Sequence, residues 1–240
     1  MRMIVLALMI AVAPLCAAAH DTDLELVLLV DASGSIDRAE LLLQRRGYAT
    51  ALTDPEVIAA IRNTAYGNIS VVYVEWAANQ AVVVDWTRID GAETAANFAA
   101  QLDNPVRRAL GRNAIGSALL RGKQLIEENG INGWRRVIDF SGDSILNWSG
   151  PSIADARAEV LAAGITINAL PLVLNDDMGR AATLEQTYRD QIIGGPNAFT
   201  VPTATRADFV AAIKRKLILE ISGLTPETTP ATRLAAQDQR

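Results

Sequence analysis

Short apolar runs rich in β-branched residues alternate along this chain with longer stretches of helical periodicity, and this alternation restricts the possible folds more than any other feature. It is typical of α/β proteins, in which helices cover a mostly parallel sheet. The first run, residues 24–30, is almost continuously apolar, as expected of a central strand that is buried on both faces. Half of the 240 residues are hydrophobic, so the chain can build a sizeable core.

The pattern predicts six strands and six helices. The predicted strands are residues 24–30, 69–77, 80–86, 136–141, 165–172 and 198–201. The predicted helices are residues 37–53, 91–102, 115–129, 153–163, 184–193 and 206–221. In the first helix we expect Leu41, Leu42 and Tyr48 to face the core. Arg45 and Arg46 of the same helix should face solvent.

The second and third predicted strands are separated by only a few residues. So short a connection cannot hold a helical crossover, which predicts an antiparallel hairpin with the third strand at the edge of the sheet. We therefore expect a doubly wound, Rossmann-like α/β fold with a mostly parallel six-stranded sheet and one antiparallel edge strand.

Residues 1–19 have the pattern of a secretory signal peptide. A charged start is followed by an apolar run over residues 4–15 and by small residues before a predicted cleavage point after Ala19. A membrane-spanning helix needs about 20 apolar residues, and this run is interrupted by Pro14. We expect a periplasmic or secreted protein without a membrane span once the signal is removed.

The length of the chain favours one domain with tails over two domains. We place this domain at residues 20–222. Beyond it the sequence turns to Thr, Pro, Ala and Gln, which predicts a flexible C-terminal tail over residues 223–240.

The composition excludes several classes of chemistry. Cys16 is the only cysteine and His20 the only histidine, so the predicted mature chain has neither a disulfide nor an internal histidine. This excludes a thiolate nucleophile, a zinc–thiolate site and a Ser-His-Asp triad. The charged residues are of both signs and sum to a net charge of −5, which argues against binding to nucleic acid or to an anionic membrane. An acidic partner would have to be bound through a metal ion.

The motif Asp31-Ala32-Ser33-Gly34-Ser35 follows the first predicted strand directly. In an open parallel sheet, ligands bind at the carboxyl ends of the strands, where the strand order reverses. One carboxylate and two hydroxyls are hard oxygen donors of the kind that Mg²⁺, Mn²⁺ or Ca²⁺ prefers. The alternative is an N-cap for the following helix, because Asp and Ser favour that position for their backbone hydrogen bonds alone. The sequence of this loop alone favours neither metal binding nor helix capping.

The same motif resembles the D-x-S-x-S sequence of von Willebrand factor A domains, and the resemblance extends over roughly residues 23–221. Within that family, the chain is similar to a group of secreted bacterial proteins of unknown function. The resemblance implies a six-stranded, doubly wound sheet and a metal-ion-dependent adhesion site. In the family, that site is completed by a Thr and an Asp from two later loops.

Two later segments resemble those loops. Residues 111–119, Gly-Arg-Asn-Ala-Ile-Gly-Ser-Ala-Leu, are similar to the family pattern G-G-T-x-I-G-x-A-L, with Asn113 at the threonine position. An amide oxygen can ligate an ion, and the alternative is that Asn113 caps the next helix. Residues 140–144 carry Asp143 at the family aspartate, with Gly142 before it and Ser144 after it.

The resemblance therefore implies one metal site in which three loops supply oxygen ligands. Mg²⁺ is the first expectation for the ion, with Mn²⁺ or Ca²⁺ as alternatives. The expected metal ligands are Asp31, Ser33, Ser35, Asn113 and Asp143.

Residues 142–145, Gly-Asp-Ser-Ile, also look like the start of the G-D-S-L motif of a serine hydrolase family. Those enzymes need a histidine as general base, which this chain lacks after the signal, so we expect binding and no enzymatic turnover. The expected partner is an unidentified protein that presents a Glu or Asp to the metal, with specificity from the loops after the second, fourth and fifth strands. The alternative is a metal-independent scaffold domain with a degenerate site.

Overall fold

The computed structural model describes residues 21–174, 177–203 and 205–226. The predicted signal peptide, residues 1–19, lies outside these described residues, as does the predicted tail after residue 226. Within the described ranges, no helix is both long enough and apolar enough to cross a membrane.

The described chain contains five strands and seven helices, where the sequence predicts six of each. The strands are β1 (Asp21–Asp31), β2 (Ile69–Trp76), β3 (Gln80–Ile89), β4 (Asn132–Gly142) and β5 (Thr166–Pro171). The helices are α1 (Arg38–Leu52), α2 (Pro55–Arg62), α3 (Ala92–Leu102), α4 (Ile115–Glu127), α5 (Ile153–Ala162), α6 (Met178–Gln191) and α7 (Phe209–Ser222).

The strands form one sheet in the order β3-β2-β1-β4-β5. β1 lies at the centre and pairs in parallel with β2 and β4, and β4 pairs in parallel with β5. β2 and β3 form an antiparallel hairpin with β3 at the edge, as the short connection predicted. The strand order reverses between β1 and β4, so the crevice at the carboxyl ends of these two strands is the expected ligand position.

The predicted sixth strand, residues 198–201, is not formed as a strand. Thr200 and Thr203 instead make isolated parallel bridges to Ala169 and Leu172 on the outer side of β5. Pro171 lies between those two positions and has no N–H to donate to a neighbouring strand. The pairing is therefore interrupted, and the sheet has five strands where six were expected.

Helix α2 is absent from the sequence prediction. Asp54 caps it by accepting a hydrogen bond from the Glu56 backbone N–H at 2.8 Å, and Pro55 occupies its first position. An Asp-Pro pair in these two positions is a known start signal for a helix, because Pro has no N–H to leave unpaired there. The helix is only eight residues long, too short to show a clear apolar periodicity.

Each face of the sheet is covered by its own apolar layer. Along β1, Leu26 and Leu28 contribute to the layer beneath α1, α2, α3 and α7. Val27 and Leu29 point to the other layer, beneath α4, α5 and α6. This alternation follows from the pleat of a strand, and burial on both faces explains why the first apolar run is nearly continuous.

A buried charge cluster joins α7 to the sheet. The Lys216 Nζ lies 2.8 Å from Asp139 Oδ1 on β4 and also contacts the Glu220 carboxyl, and all three side chains are buried. Burial raises the pKa of Glu220 to about 7, with a contribution from Asp139 and against the opposing effect of Lys216. Burial raises the pKa of Asp139 too. One lysine therefore serves two buried carboxyl groups.

Lys216→Met should lower the free energy of unfolding by about 3–5 kcal/mol at pH 8, because two buried carboxyl groups lose their cation. The loss should be smaller at pH 5. The folded Glu220 holds a proton between its ordinary pKa of 4.5 and about 7, and a protonated carboxyl does not need the lysine. Urea denaturation at the two pH values measures the difference.

Lys214→Met is the matched control on the same helix. Lys214 pairs with Asp54 and Glu56 at the surface, where solvent screens the interaction, so its loss should leave stability near that of the unmodified protein. Equal losses for Lys216→Met at pH 5 and pH 8 would contradict the proposed sharing of one cation.

Candidate metal centre

The five predicted ligands come from three loops at the carboxyl edge of the sheet. Asp31 is the last residue of β1, and Ser33 and Ser35 follow in the loop before α1. Asp143 follows β4 directly, and Asn113 precedes α4. The Asp143 backbone N–H lies 3.4 Å from Asp31 Oδ2, so the first and third loops meet at the point where the strand order reverses.

The Asp31 carboxylate is fully buried. Its Oδ1 accepts a hydrogen bond from the Ser33 backbone N–H at 2.8 Å. Burial raises the pKa of Asp31 to about 7, hydrogen bonds from Ser33 oppose this shift, and the neighbouring Asp143 carboxylate adds to it. The site thus brings two like charges together in a poorly solvated crevice, which is unfavourable unless a proton or a cation balances them.

Ser33 and Ser35 point their hydroxyls toward each other. Their Oγ atoms are 3.2 Å apart, and Ser33 is buried whereas Ser35 is exposed. Neither residue caps α1. Asp37 does so, because its Oδ1 accepts from the Glu40 N–H at 2.7 Å while the Glu40 carboxylate accepts from the Asp37 N–H. The capping interpretation of the first loop is therefore wrong.

Asn113 does not cap its helix either. Its Nδ2 donates to Ser144 Oγ at 3.0 Å, which joins the second loop to the third. The N–H of Gly116, in the first turn of α4, is instead bonded to the Asn147 side chain at 3.3 Å. Ser144 thus engages the amide nitrogen of Asn113, and the amide oxygen, which carries the lone pairs, is the atom that would ligate a cation.

Gly142 is required by the close packing of the third loop. A Cβ atom at this position would lie 2.8 Å from the Tyr188 hydroxyl, 2.9 Å from the Trp76 ring and 3.2 Å from Asp31 Oδ2. Trp76 also donates its indole N–H to the Ser141 carbonyl at 3.0 Å. These two aromatic side chains fill the space around position 142, which explains why this chain has glycine where the family has another residue before the aspartate.

An arginine that the sequence analysis did not consider holds the first loop in place. The Arg107 guanidinium donates to the carbonyl oxygens of Ala32 at 2.6 Å, Ser33 at 3.1 Å and Ile36 at 2.5 Å. In addition, the Gly34 N–H donates to the Gly111 carbonyl at 2.9 Å. The segment between α3 and α4 therefore fixes the backbone that carries Ser33 and Ser35.

That segment is itself held by a buried ion pair at the end of β2. Glu75 accepts from Arg45 Nε at 2.9 Å and from the Arg108 backbone N–H at 2.6 Å. Arg45 also donates to the Val106 carbonyl at 2.8 Å. The expectation that Arg45 faces solvent is wrong, because its charge is neutralised inside the protein by Glu75, 30 residues further along the chain.

The residues present fit a divalent cation. In residues 21–174, 177–203 and 205–226, no group of three or more His, Cys, Asp or Glu side chains could hold a metal. An ion in this crevice would have to take hydroxyl and amide oxygens besides the two carboxylates, a donor set that suits Mg²⁺. Asp143 Oδ1 is buried without a hydrogen-bond partner among the described residues, and such an atom requires an explanation. A bound cation supplies one.

Arg107→Met should loosen the first loop, because three carbonyl oxygens lose a charged donor. We expect faster amide hydrogen exchange over residues 32–36 and a loss of about 2 kcal/mol in the free energy of unfolding. Arg108→Met is the matched control, since that side chain is exposed and only its backbone N–H binds Glu75. Unchanged exchange in Arg107→Met, or an equal increase in the control, would contradict this role.

Several solved structures share this fold. The pilus adhesin SpaC of Lactobacillus rhamnosus GG is 14% identical, with a TM-score of 0.58 over 85% of this chain and 31% of its own. A von Willebrand factor type A protein from Catenulispora acidiphila is 13% identical, with a TM-score of 0.58 over 84% of this chain and 43% of its own. Proximal thread matrix protein 1 from the mussel byssus, with zinc in its MIDAS motif, is 13% identical, with a TM-score of 0.57 over 85% and 49%.

This chain spans less than half the length of each of those three proteins. The low identities establish the fold alone, and that fold is the von Willebrand factor A domain that the sequence predicted. No curated protein matches the sequence. The family model described as "Protein of unknown function (DUF1194)" matches residues 21–225, and the chain belongs to that family.

Proposed function

We propose that this protein is a secreted or periplasmic binding module in which a divalent cation binds an acidic group of a partner protein. Asp31, Ser33 and Ser35 would hold the ion, together with Asn113 and Asp143. The observation that carries this proposal is the approach of the Asp143 backbone N–H to the buried Asp31 carboxylate, at a position where the Asp143 carboxylate raises the pKa of Asp31 and has a buried oxygen without a partner among the described residues.

The residues of the three loops have separate parts in this function. Asp31 supplies a buried negative charge, and Ser33 and Ser35 supply paired hydroxyls at its open side. Asp143 adds the second carboxylate from the loop after β4, and Asn113 adds a neutral amide oxygen. When bound, the ion supplies the positive charge that attracts a carboxylate.

Two of the similar structures support such a role. SpaC is described as an adhesin, and the mussel protein has zinc in its MIDAS motif.

Catalysis is not favoured by the contacts of Ser144, the serine of the hydrolase-like motif. Its Oγ accepts from the Asn113 amide and lies 3.4 Å from the Leu146 backbone N–H, and neither group is a base.

The location belongs to the same proposal. It rests on the signal-peptide pattern of residues 1–19, and we infer that the binding module occupies residues 20–222 of the exported chain.

A second candidate function is a metal-independent scaffold domain. The observation that favours it is the Asn113–Ser144 hydrogen bond at 3.0 Å, which closes the second loop onto the third without any ion. In that function the hydrogen bond would hold the two loops together, and Asp31, with its pKa raised to about 7, would be protonated in about half of the molecules at pH 7.

Calorimetric titration of the metal-free protein with Mg²⁺ and Mn²⁺ separates the two functions. We expect binding with one site, and we expect Asp31→Ala to abolish it because the only fully buried ligand charge is lost. Asp85→Ala is the control, since Asp85 is an exposed carboxylate on the edge strand β3. Absence of binding at millimolar metal, or binding that persists in Asp31→Ala, would favour the scaffold function.

A further inference from the structure

A groove of about 400 Å³ opens beside the candidate metal centre, between the loop after β4 and helix α6. Its apolar walls are Ile145, Leu146 and Leu184, and Arg180, Thr183 and Thr187 line the α6 side. We call it the α6 groove. Its apolar residues distinguish it from the centre, where every proposed ligand is polar.

The α6 groove adjoins the centre, because the proposed ligand Asp143 lines the groove together with Ser144, which accepts a hydrogen bond from Asn113. Two hydrogen bonds hold its walls together. The Tyr188 hydroxyl donates to the Ser144 carbonyl at 3.1 Å, and the Arg180 guanidinium donates to the Asp143 carbonyl at 3.2 Å. A molecule bound at the centre therefore meets a groove that is already formed.

Large apolar side chains are exposed around this end of the sheet. Leu146 is 55% exposed in the groove wall, and Trp148, three residues from Ile145, is 58% exposed. A partner that covers a side chain such as Leu146 removes apolar surface from water, and this favours binding. The polar loops around the ion alone would not provide this hydrophobic contribution.

Two arginines beside these apolar residues indicate the charge of the occupant. Arg180 lines the groove, and the Arg112 guanidinium lies 4.7 Å above the Trp148 ring. In the described part of the chain, neither makes an ion pair with a carboxylate, although several other arginines do. An acidic segment would therefore find one cation in the groove and another beside Trp148.

We propose that the partner presents an extended acidic segment, in which a large apolar side chain lies within two positions of the metal-bound Asp or Glu and fills the α6 groove. This inference rests on the proposed metal-dependent function and adds the chemistry of the partner. Alternate side chains of an extended segment lie on one face about 7 Å apart, which lets one segment reach both subsites.

Fluorescence anisotropy with synthetic peptides tests the inference. The probes are labelled hexapeptides of sequence Ser-Glu-Ser-X-Glu-Ser, with X as Leu, Phe or Ser, added to the purified protein in Mg²⁺ and in chelator. We expect the Leu and Phe peptides to bind at least tenfold more tightly than the Ser peptide, and only in Mg²⁺.

Leu146→Asn should remove this preference, and it should fold because the side chain is already more than half exposed. Met178→Asn is the matched control, since Met178 is equally apolar and more exposed but does not line the groove. It should keep the tenfold preference. Loss of the preference in both variants would show that general surface hydrophobicity is responsible and would overturn the assignment to the groove.

The two proposals fail in distinguishable ways. If calorimetry shows Mg²⁺ binding but the three peptides bind equally or not at all, the inference about the groove is wrong and the metal site stands. If the apolar preference persists in chelator, the groove acts independently and the proposed link between the groove and the ion is wrong. If no Mg²⁺ binds, both proposals fail.

Discussion

The Asp31 carboxylate, buried at the end of the central strand, is the constraint on which the rest of the site depends. An ionised carboxylate without a partner is costly inside a protein, and here a second carboxylate, that of Asp143, comes from the neighbouring strand. The serine hydroxyls and backbone N–H groups offset part of this cost. An excess of negative charge remains at the carboxyl ends of β1 and β4. This is the place where a doubly wound fold binds its ligands.

This arrangement holds only if the surrounding loops are rigid. The Ala32 N–H extends the pairing with β2 by donating to the Trp76 carbonyl at 2.9 Å. The first loop is held further by Arg107 and by Gln44, whose Nε2 donates to the Asp31 carbonyl at 2.9 Å. Arg107 in turn belongs to a segment held by the buried Arg45–Glu75 pair. A charged pair that has no contact with the proposed ion thus determines where the hydroxyl ligands lie. Such indirect support is what keeps a set of ligands in a fixed geometry.

The sequence was sufficient for the fold class because strand and helix periodicities are local. It was insufficient where the outcome depended on contacts between distant segments. The side chain of Arg45 was assigned to solvent by helical position, since its partner Glu75 could not be identified without the fold. The interrupted pairing at Pro171, by contrast, needs no knowledge of distant contacts. A proline within a predicted strand by itself indicates that pairing with a further strand will be interrupted.

Some contacts of the candidate ligands could also be predicted from the sequence, and others could not. The approach of Asp31 and Asp143 was implied by the resemblance to von Willebrand factor A domains, and the pairing of β1 with β4 accounts for it. The Asp37-Arg-Ala-Glu40 sequence also contained the capping box that removes the helix-cap alternative for the first loop. The contact between Asn113 and Ser144 was not predictable, because both residues lie in loops whose backbone paths are set by packing against each other.

In the proposed function, the balance of charged and neutral ligands would suit the binding of a partner better than the storage of an ion. Two carboxylates are enough to neutralise a divalent cation formally, but the remaining proposed donors, two hydroxyls and an amide, carry no charge. Sites with more carboxylates bind such ions more tightly and have less attraction left for a further anion. Arg180 and Arg112 add positive charge beside the crevice, which would favour a carboxylate from outside once the proposed ion is bound. In the proposed function, specificity would depend on the uncharged groups next to the ion, and the groups that we propose for this are the apolar walls of the α6 groove.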